Sequence, residues 1–280
     1  MSIPVPVAKA LARKMLPEES YQRLTSVSFN DAGHGFDPFG MHPAFVALGV
    51  GLVRPWYEDY FRVKSYGVEK IPTEGATILA ANHSGTLPVD GAMLWADVVR
   101  QASPVRIPRP IADHFVATLP YLGTLFARTG VVGGSRGNVR KLLENGELLM
   151  IFPEGVPGIT KPFKERYRLQ NWRVGHAELA IRHSAKVVPI GIVGAEEQMP
   201  NLHTFGVKWL GIPVLPVPAT PFPLPVRYHI HYGTPIDFGD RYAPTDSHDP
   251  EAVAEAAAEV STAVQSLLDI GLATRDGVFA

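Results

Sequence analysis

The 280-residue sequence contains no cysteine, which excludes disulfide bonds, thiolate nucleophiles and cysteine-ligated metal sites. Charge is also scarce, because charged residues make up 19% of the sequence and hydrophobic residues 46%. So few charges indicate that part of the surface meets an apolar partner. The formal net charge of -1 removes the electrostatic basis for duplex nucleic acid as the main partner.

Long apolar runs are absent too. The longest, residues 44–53, ends at Arg54. As a helix it would be about 15 Å long, roughly half the hydrocarbon thickness of a bilayer. The opening residues lack a basic region followed by a continuous apolar stretch, so no secretory signal is predicted. We therefore expect a cytoplasmic protein without a spanning segment.

Two N-terminal stretches nevertheless suit a membrane surface. Residues 7–16 place apolar side chains at helical spacing among basic ones, as in a helix lying on anionic lipid. The aromatic segment 56–61 suits the headgroup level of a bilayer. Both patterns are equally well explained by helices that pack on the protein's own domain. We assign residues 1–58 to an N-terminal helical and loop region, a candidate for peripheral membrane association, and residues 59–280 to one α/β domain.

Beyond residue 60, strand-like and helix-like segments alternate. The alternation predicts an α/β fold, a mostly parallel central sheet with helices on both faces, in which ligands bind beyond the carboxyl ends of the strands. The proline-rich stretch 199–225 is predicted as a loop that packs over the core, lines an acyl-chain channel or rests on a membrane. Strands are predicted at 62–66, 77–81, 105–107, 147–152, 186–193 and 226–232, and helices at 90–99, 114–127, 138–145, 172–183 and from 250.

The main candidate for chemistry follows the apolar strand 77–81. His83 can remove a proton from a hydroxyl group if a carboxylate holds its other ring nitrogen. Asp90, with six residues between it and His83, is the candidate carboxylate. The alternative interpretation is a surface histidine and a helix-capping aspartate that do not meet.

Two further motifs carry polar groups to the ends of predicted elements. A glycine-rich turn at 130–137 leads into a helix predicted to be capped by Asn138, and Arg136 adds positive charge there, which suits a phosphate. Glu154 and Gly155 follow the strand 147–152 in a Pro-Glu-Gly turn. Each motif alone is also explained by ordinary turn chemistry.

In this order, the motifs resemble the lysophospholipid and glycerolipid acyltransferase superfamily. That superfamily includes the 1-acylglycerol-3-phosphate acyltransferases and the monoacylglycerol and diacylglycerol acyltransferase branch. The resemblance covers four blocks, at 82–90, 130–136, 152–155 and 186–190.

The resemblance implies transfer of an acyl group from acyl-CoA or an acyl carrier protein to a hydroxyl of a lysophospholipid or acylglycerol at a membrane surface, with no cofactor and no metal. It further implies His83 as general base and Asp90 as its orienting carboxylate. By the same resemblance, Arg136 contacts a phosphate, and Glu154 and Gly155 belong to the acceptor site.

Two departures from the family pattern bear on the acceptor. Six residues separate His83 from Asp90 where four are usual, and Val156-Pro157 follow Gly155 where Thr and Arg are usual. Both departures favour the branch whose acceptor is a neutral acylglycerol. Because Ser84 adjoins His83 and cysteine is absent, we expect direct attack of the acceptor on the thioester without an acyl-enzyme.

Three alternatives remain. In a metallohydrolase, His83 and Asp90 would collect a metal with Asp113 and His114. A lipid-binding protein of the same fold would have lost the chemistry. The pair His229 and His231 on one strand face could bind zinc, although a half-exposed strand without a third ligand explains the pair better.

Overall fold

The computed structural model describes residues 3–84, 87–113, 116, 121–207 and 212–280. The described strands are β1 Lys64–Tyr66, β2 Thr77–Ala81, β3 Pro108–Ala112, β4 Val132–Gly133, β5 Leu148–Ile151, β6 Lys186–Val193, β7 Asn201–Val207, β8 Ile212–Pro218 and β9 His229–Tyr232.

The central sheet has the strand order β1-β9-β6-β2-β5-β3-β4 among the described residues. Strands β6, β2, β5, β3 and β4 are mutually parallel, β9 is antiparallel to β6, and β1 is parallel to β9. The chain ends of β2, β5, β3 and β4 therefore meet at one edge of the sheet, which we call the carboxyl edge. This topology confirms the predicted α/β fold with a mostly parallel sheet.

Helices cover both faces of the sheet. The described helices are α1 Val5–Met15, α2 Glu18–Thr25, α3 Pro43–Pro55, α4 Val89–Gln101, α5 Leu122–Thr129, α6 Arg136–Glu144, α7 Val156–Thr160, α8 Gly175–Arg182, α9 Ala195–Gln198 and α10 Pro250–Thr274. No helix among the described residues combines the length and the apolarity that crossing a bilayer requires.

Strand β2 lies at the centre of two hydrophobic cores, because its side chains alternate between the faces. Ile78 and Ala80 pack with residues of α6, α8 and α10. Leu79 and Ala81 pack with residues of α1, α3 and α4 on the other face. The N-terminal helices thus share a core with the sheet rather than forming one of their own.

Two helix starts follow from capping. Asp249 caps α10, where its side chain accepts the Glu251 N–H at 2.9 Å and Pro250 occupies the first turn, as expected from the sequence. The predicted cap of α6 at Asn138 is wrong. Ser135 is the cap, and its Oγ accepts the Asn138 N–H at 3.2 Å, so that the helix begins at Arg136.

Strand β3 lies at 108–112 rather than at the predicted 105–107. It carries a fully buried arginine, Arg109, which forms an ion pair with Asp37 at 2.7 Å and donates to the Gly130 carbonyl at 3.0 Å. Asp37 belongs to the N-terminal loop before α3, so this ion pair fastens the loop to the sheet.

Two other predictions differ from the structure. Residues 201–207 and 212–218 form the antiparallel ribbon β7–β8, separate from the central sheet, rather than a loop. Strand β9 is buried rather than half-exposed, because it lies between β1 and β6.

Candidate active site

Asn82 fixes the chain where β2 ends. Its fully buried side chain donates to the Ile192 carbonyl at 3.1 Å and accepts the Ile192 N–H at 2.7 Å. Through these two bonds the Asn82 side chain pairs with the main chain of β6 directly after β2 ends. The next residue, His83, therefore leaves the sheet at a fixed point of the carboxyl edge.

The structure brings His83 and Asp90 together. The Asp90 Oδ2 atom lies 2.6 Å from His83 Nδ1 and also accepts the Ser84 N–H at 2.8 Å, while Oδ1 accepts the Gly91 N–H at 2.7 Å. Since an ionised carboxylate can only accept, Nδ1 carries the proton and Nε2 keeps its lone pair. Asp90 is fully buried in the first turn of α4, where the helix dipole favours its negative charge.

Burial of the His83 ring lowers its pKa, but the charge and the hydrogen bond of Asp90 outweigh burial, and the net pKa is raised above the ordinary histidine value. The side chain is 17% exposed, so the ring remains reachable from the carboxyl edge. One ring face stacks on Phe152, with the ring centroids 4.4 Å apart. In this environment the ring binds a proton more readily than a free imidazole does.

The helix that carries Asp90 is held in place from its other side. Asp97, fully buried on α4, accepts hydrogen bonds from Ser65 Oγ at 2.7 Å and from the Tyr232 hydroxyl at 2.6 Å. Burial raises the pKa of Asp97. These bonds anchor α4 to β1 and β9, which fixes the distance between Asp90 and the end of β2.

Glu154 supports the main chain of His83. The fully buried carboxylate accepts the His83 N–H at 3.0 Å through Oε1 and the Gln170 N–H at 2.9 Å through Oε2. Its Oε2 atom also lies 3.5 Å from Lys161 Nζ. All of the groups that contact the Glu154 carboxylate here belong to the protein. In this structure Glu154 therefore holds the His83 loop.

Gly155 adopts φ +57°, a conformation that strains any residue with a side chain. A Cβ atom at Gly155 would lie 3.4 Å from Arg173 Cζ. The guanidinium of Arg173 therefore borders the turn, a neighbour that sequence reasoning missed. The Arg173 N–H bonds the Pro153 carbonyl at 3.0 Å, which ties the two segments together.

Arg136 lies at the same edge but apart from the His83–Asp90 pair. It follows β4, and β4 is separated from β2 by three strand spacings, about 14 Å. The side chain is exposed at the start of α6 and makes no hydrogen bond or ion pair within the described part of the chain. A molecule bound at His83 would have to extend along the carboxyl edge to contact Arg136.

The other candidates have different surroundings. Asp113 follows β3 at the carboxyl edge, whereas His114 lies outside the described residues. His229 and His231 are buried in β9, and the ring of Tyr66 stacks on that of His231 at 4.5 Å. Burial lowers the pKa of His229 to about 4. Where the structure describes the chain, no three potential ligand side chains are grouped to hold a metal ion.

Sequence reasoning missed Lys161, Gln170 and Glu196, which surround Glu154 or its partner. No local pattern marks them, because they reach Glu154 only through the tertiary fold. Asn82 carried a signal, since a polar residue that directly follows a buried strand needs hydrogen-bond partners.

Several known proteins are similar to this chain. The family model described as acyltransferase matches residues 62–193, which include β2 and the whole of β6. An uncharacterized protein of Mycobacterium tuberculosis is 37% identical over 270 residues, covering 92% of this chain and 74% of that protein. A mouse protein named "DGAT1/2-independent enzyme synthesizing storage lipids" is 30% identical over 210 residues, covering 73% of this chain and 59% of that protein.

Among solved structures, the 1-acyl-sn-glycerophosphate (LPA) acyltransferase PlsC from Thermotoga maritima has the same fold. It matches with a TM-score of 0.57 at 17% identity and covers 84% of this chain and 83% of that chain. The family resemblance predicted from the four sequence blocks is confirmed. The chain belongs to the acyltransferase family.

Proposed function

We propose that this enzyme is an O-acyltransferase of glycerolipids, which moves a fatty acyl group from acyl-CoA or an acyl carrier protein to the hydroxyl of a lysophospholipid or acylglycerol. Family membership, the fold shared with PlsC and the storage-lipid activity named for the mouse relative support this substrate class. The observation that carries the mechanism is the 2.6 Å contact between His83 Nδ1 and Asp90 Oδ2.

In the proposed reaction, His83 Nε2 takes the proton of the acceptor hydroxyl as its oxygen attacks the carbonyl carbon of the thioester. The tetrahedral intermediate expels the thiolate, which receives the proton from the imidazolium. Asp90 stabilises the charged ring throughout and keeps Nε2 pointed at the acceptor. An ester and a free thiol result, without an acyl-enzyme, and the two substrates supply every atom that the transfer needs, so no cofactor is proposed.

Glu154 and Gly155 shape the acceptor side of this site, with Glu154 acting through the main chain of His83. Arg136 is proposed to meet a phosphate carried by either substrate, because it is an exposed and unpaired cation at a helix N-terminus. An acceptor without phosphate would leave Arg136 free for the phosphates of the donor.

Residues 1–58 are proposed as the region that meets the membrane surface, and residues 59–280 as the acyltransferase domain. Val7 and Leu11 are 46% and 40% exposed on one face of α1, and Lys14 continues that face. An apolar stripe with a basic end suits anionic lipid. We propose a cytoplasmic enzyme bound peripherally at that surface.

The test is thiol release by the purified protein given long-chain acyl-CoA and a panel of lysophospholipid and acylglycerol acceptors. His83→Ala should reduce the acceptor-dependent rate by about 10²–10⁴-fold, the usual contribution of a positioned base. His248→Ala, which removes an exposed histidine, is the matched control and should keep the rate. Absence of acceptor-dependent release with every pair would contradict the proposal, and so would a His83→Ala rate equal to that of the wild type.

The same panel identifies the phosphate that Arg136 meets. Arg136→Ala should raise KM about tenfold or more for the substrate that carries the contacted phosphate, since a charge-assisted hydrogen bond contributes about 1.5–3 kcal/mol. Arg140→Ala, one turn further along α6 and paired with Glu144, is the control. If KM is unchanged for donor and acceptors alike, Arg136 has no phosphate role.

A further inference from the structure

A buried charge cluster lies directly behind the His83 loop. Lys161 Nζ is 3.0 Å from Glu196 Oε1 and 3.5 Å from Glu154 Oε2, and it donates to the Arg168 carbonyl at 3.2 Å. The Lys161 side chain is 3% exposed. Such a cation can be kept charged in the interior only by its anionic partners. The short helix α9 supplies one carboxylate, and the turn after β5 supplies the other.

The cluster contains one amino group and two carboxyl groups, and the two carboxyl groups have different surroundings. Burial raises the pKa of Glu196 to about 7, although Lys161 and the Tyr167 N–H oppose that rise. Glu154 instead accepts two main-chain N–H groups in addition to Lys161. Glu154 is therefore held by more main-chain donors than Glu196, whose Oε1 atom accepts the Tyr167 N–H at 3.0 Å.

The cluster is connected to the ring of His83 through one residue. Glu154 accepts the Lys161 ammonium on one side and the His83 N–H on the other. The negative charge of Glu154 raises the pKa of His83, and the positive charge of Lys161 lowers it. Lys161 is therefore linked to His83 both by contacts, through Glu154, and by the effect of its charge on the pKa of His83. Lys161 itself is buried.

We propose that Lys161 is a positioning residue for the acyl transfer: its ammonium holds Glu154 against the main chain of His83 and, with Glu196, sets the strength of His83 as a base. This inference rests on the proposed function of His83. Lys161 touches no reacting atom in this arrangement and acts through its contact with Glu154 and through the charge of the cluster.

Other charged and titratable groups lie near His83 or its neighbours and must be held constant. They are Asp90, which contacts the His83 ring, Arg173, which borders Gly155, and Tyr228, whose pKa is raised by burial and in part by the charge of Asp90. None of them contacts Lys161, whose partners are the two glutamates and the Arg168 carbonyl. A variant at Lys161 or Glu196 therefore changes the field at His83 without removing these groups.

The test measures the pKa of His83 directly, by NMR titration of the 15N-labelled histidine ring in the full chain. Lys161→Met removes a nearby positive charge and should raise this pKa by about half a unit or more. Glu196→Gln removes a carboxylate but leaves Lys161 paired with Glu154. The positive charge of Lys161 is then less neutralised, and the pKa of His83 should be lowered. Lys186→Met is the control, because Lys186 begins β6 about 20 Å from the carboxyl edge and should cause no shift.

The pH dependence of kcat/KM supplies a second measurement. Deprotonated His83 is the active form, so the acid limb of the profile should move upward in Lys161→Met and downward in Glu196→Gln, in step with the NMR values. Damage to the fold alone would instead lower the rate at every pH without moving the limb. Glu196→Gln keeps the buried cation paired, so it tests the inference even if Lys161→Met does not fold.

The two proposals fail in different ways. A wild-type protein without acyl transfer contradicts the proposed function, while the NMR titration still reports whether the cluster tunes His83. Active protein in which the His83 pKa is the same in wild type and Glu196→Gln overturns the positioning role. Opposite shifts in the two variants support it.

Discussion

At the scale of single residues, His83 is held by its main chain and its side chain separately. Glu154 accepts the main-chain N–H, and Asp90 accepts the ring Nδ1–H. The Ser84 N–H also donates to Asp90, so ring and loop share one acceptor. The direction of Nε2 is thereby fixed before a substrate arrives, which lowers the reorganisation that proton transfer requires.

Asp90→Asn should separate the orienting role from the acidity of the ring. The neutral amide of asparagine carries no negative charge and no longer fixes the tautomer of the His83 ring. The rate of acyl transfer at the optimum pH should therefore fall by about 10²–10⁴-fold. Asp90 raises the pKa of His83, and the proposed mechanism requires the base form. The pH at which activity is lost on acidification should therefore be lower in Asp90→Asn, as measured by kcat/KM against pH.

The control is Asp240→Asn, which removes one exposed negative charge away from the site. It should leave both the rate and the pH profile unchanged. An Asp90→Asn enzyme with an acid limb at the wild-type pH would contradict the electrostatic role of Asp90.

The residue pair at the centre of the site could be predicted from the sequence, whereas its support could not. His83 and Asp90 are close in the chain, and a histidine after a buried strand is a recognisable signal. Lys161, Glu196 and Gln170 come from separate segments of the chain, and their contacts with Glu154 or with each other exist only once β5, β6 and their connections are folded. A lysine in a sequence is assigned to the surface by default, because burial is costly without partners.

At the scale of elements, the short helix α7 packs directly against the His83 loop. A Cβ atom at Gly158 would lie 2.7 Å from the His83 carbonyl oxygen and 2.9 Å from Glu154 Cβ. Both neighbours are fixed, one as main chain and the other by hydrogen bonds. Only glycine allows α7 to approach this closely.

Gly158→Ala should therefore reduce activity by displacing the His83 loop. Overpacking at such a contact destabilises a protein by about 1–3 kcal/mol, which thermal or urea unfolding would detect. The rate of acyl transfer should fall well beyond the fraction of unfolded protein, because the displacement occurs at the base itself.

Gly175→Ala is the matched control. Gly175 begins α8, and a Cβ atom there meets nothing within 4 Å. In a helix, alanine at this position should leave stability equal or raise it by up to about 1 kcal/mol, with activity unchanged. If Gly158→Ala behaves like Gly175→Ala, then α7 does not position the histidine.

Elements with a regular apolar pattern were predictable, including β6 with its single Pro189, whereas segments with several prolines or a buried charge were not. Strands β2 and β6 match the predicted bounds 77–81 and 186–193. Strand β3 was misplaced because Pro108, Arg109 and Pro110 do not look like strand residues. The partner that allows Arg109 to be buried is Asp37, far away in the chain.

The ribbon β7–β8 was missed for a related reason. Its prolines exclude a central strand, and the stretch was therefore assigned to a loop. A two-stranded ribbon pairs each strand on one side only, so a proline can point its missing N–H away from the partner. Residues 201–207 and 212–218 accordingly form strands outside the central sheet.

At the scale of the whole molecule, the parallel sheet gathers residues that are distant in sequence at one edge. His83 follows β2, Glu154 follows β5 and Arg136 follows β4. The order of the strands then sets the distances between these groups, with Glu154 next to His83 and Arg136 farthest away. A substrate that reached both His83 and Arg136 would have to be extended, as a phosphate-bearing thioester or glycerolipid is.

Exposed apolar residues at the N-terminal region bear on how such substrates arrive. Leu52 and Trp56, 46% and 47% exposed, lie one helical turn apart at the end of α3. The end of α1 packs beside them, since a Cβ atom at Gly51 would lie 2.9 Å from Met15 Cβ. The exposed residues Val7 and Leu11 on α1 and the pair Leu52 and Trp56 thus lie on two helices in contact. We propose that both helices contact lipid.

Replacing Val7 and Leu11 together by glutamate should weaken binding to vesicles that contain anionic lipid. Each apolar side chain transferred from water to lipid contributes about 1.5–3 kcal/mol, so co-sedimentation should fall at least about tenfold. Ile270→Glu, on α10 and 51% exposed, removes an apolar residue outside the N-terminal region and should bind as the wild type does.

The double variant should keep its activity on donor and acceptor of short chain length that are dissolved in water, because α1 buries Ala8 and Ala12 rather than the replaced side chains. Its activity on vesicle-bound acceptor should fall in step with vesicle binding. Binding equal to that of the wild type would show that α1 does not meet the membrane. Loss of activity on the dissolved substrates as well would mean that the stripe supports the fold instead.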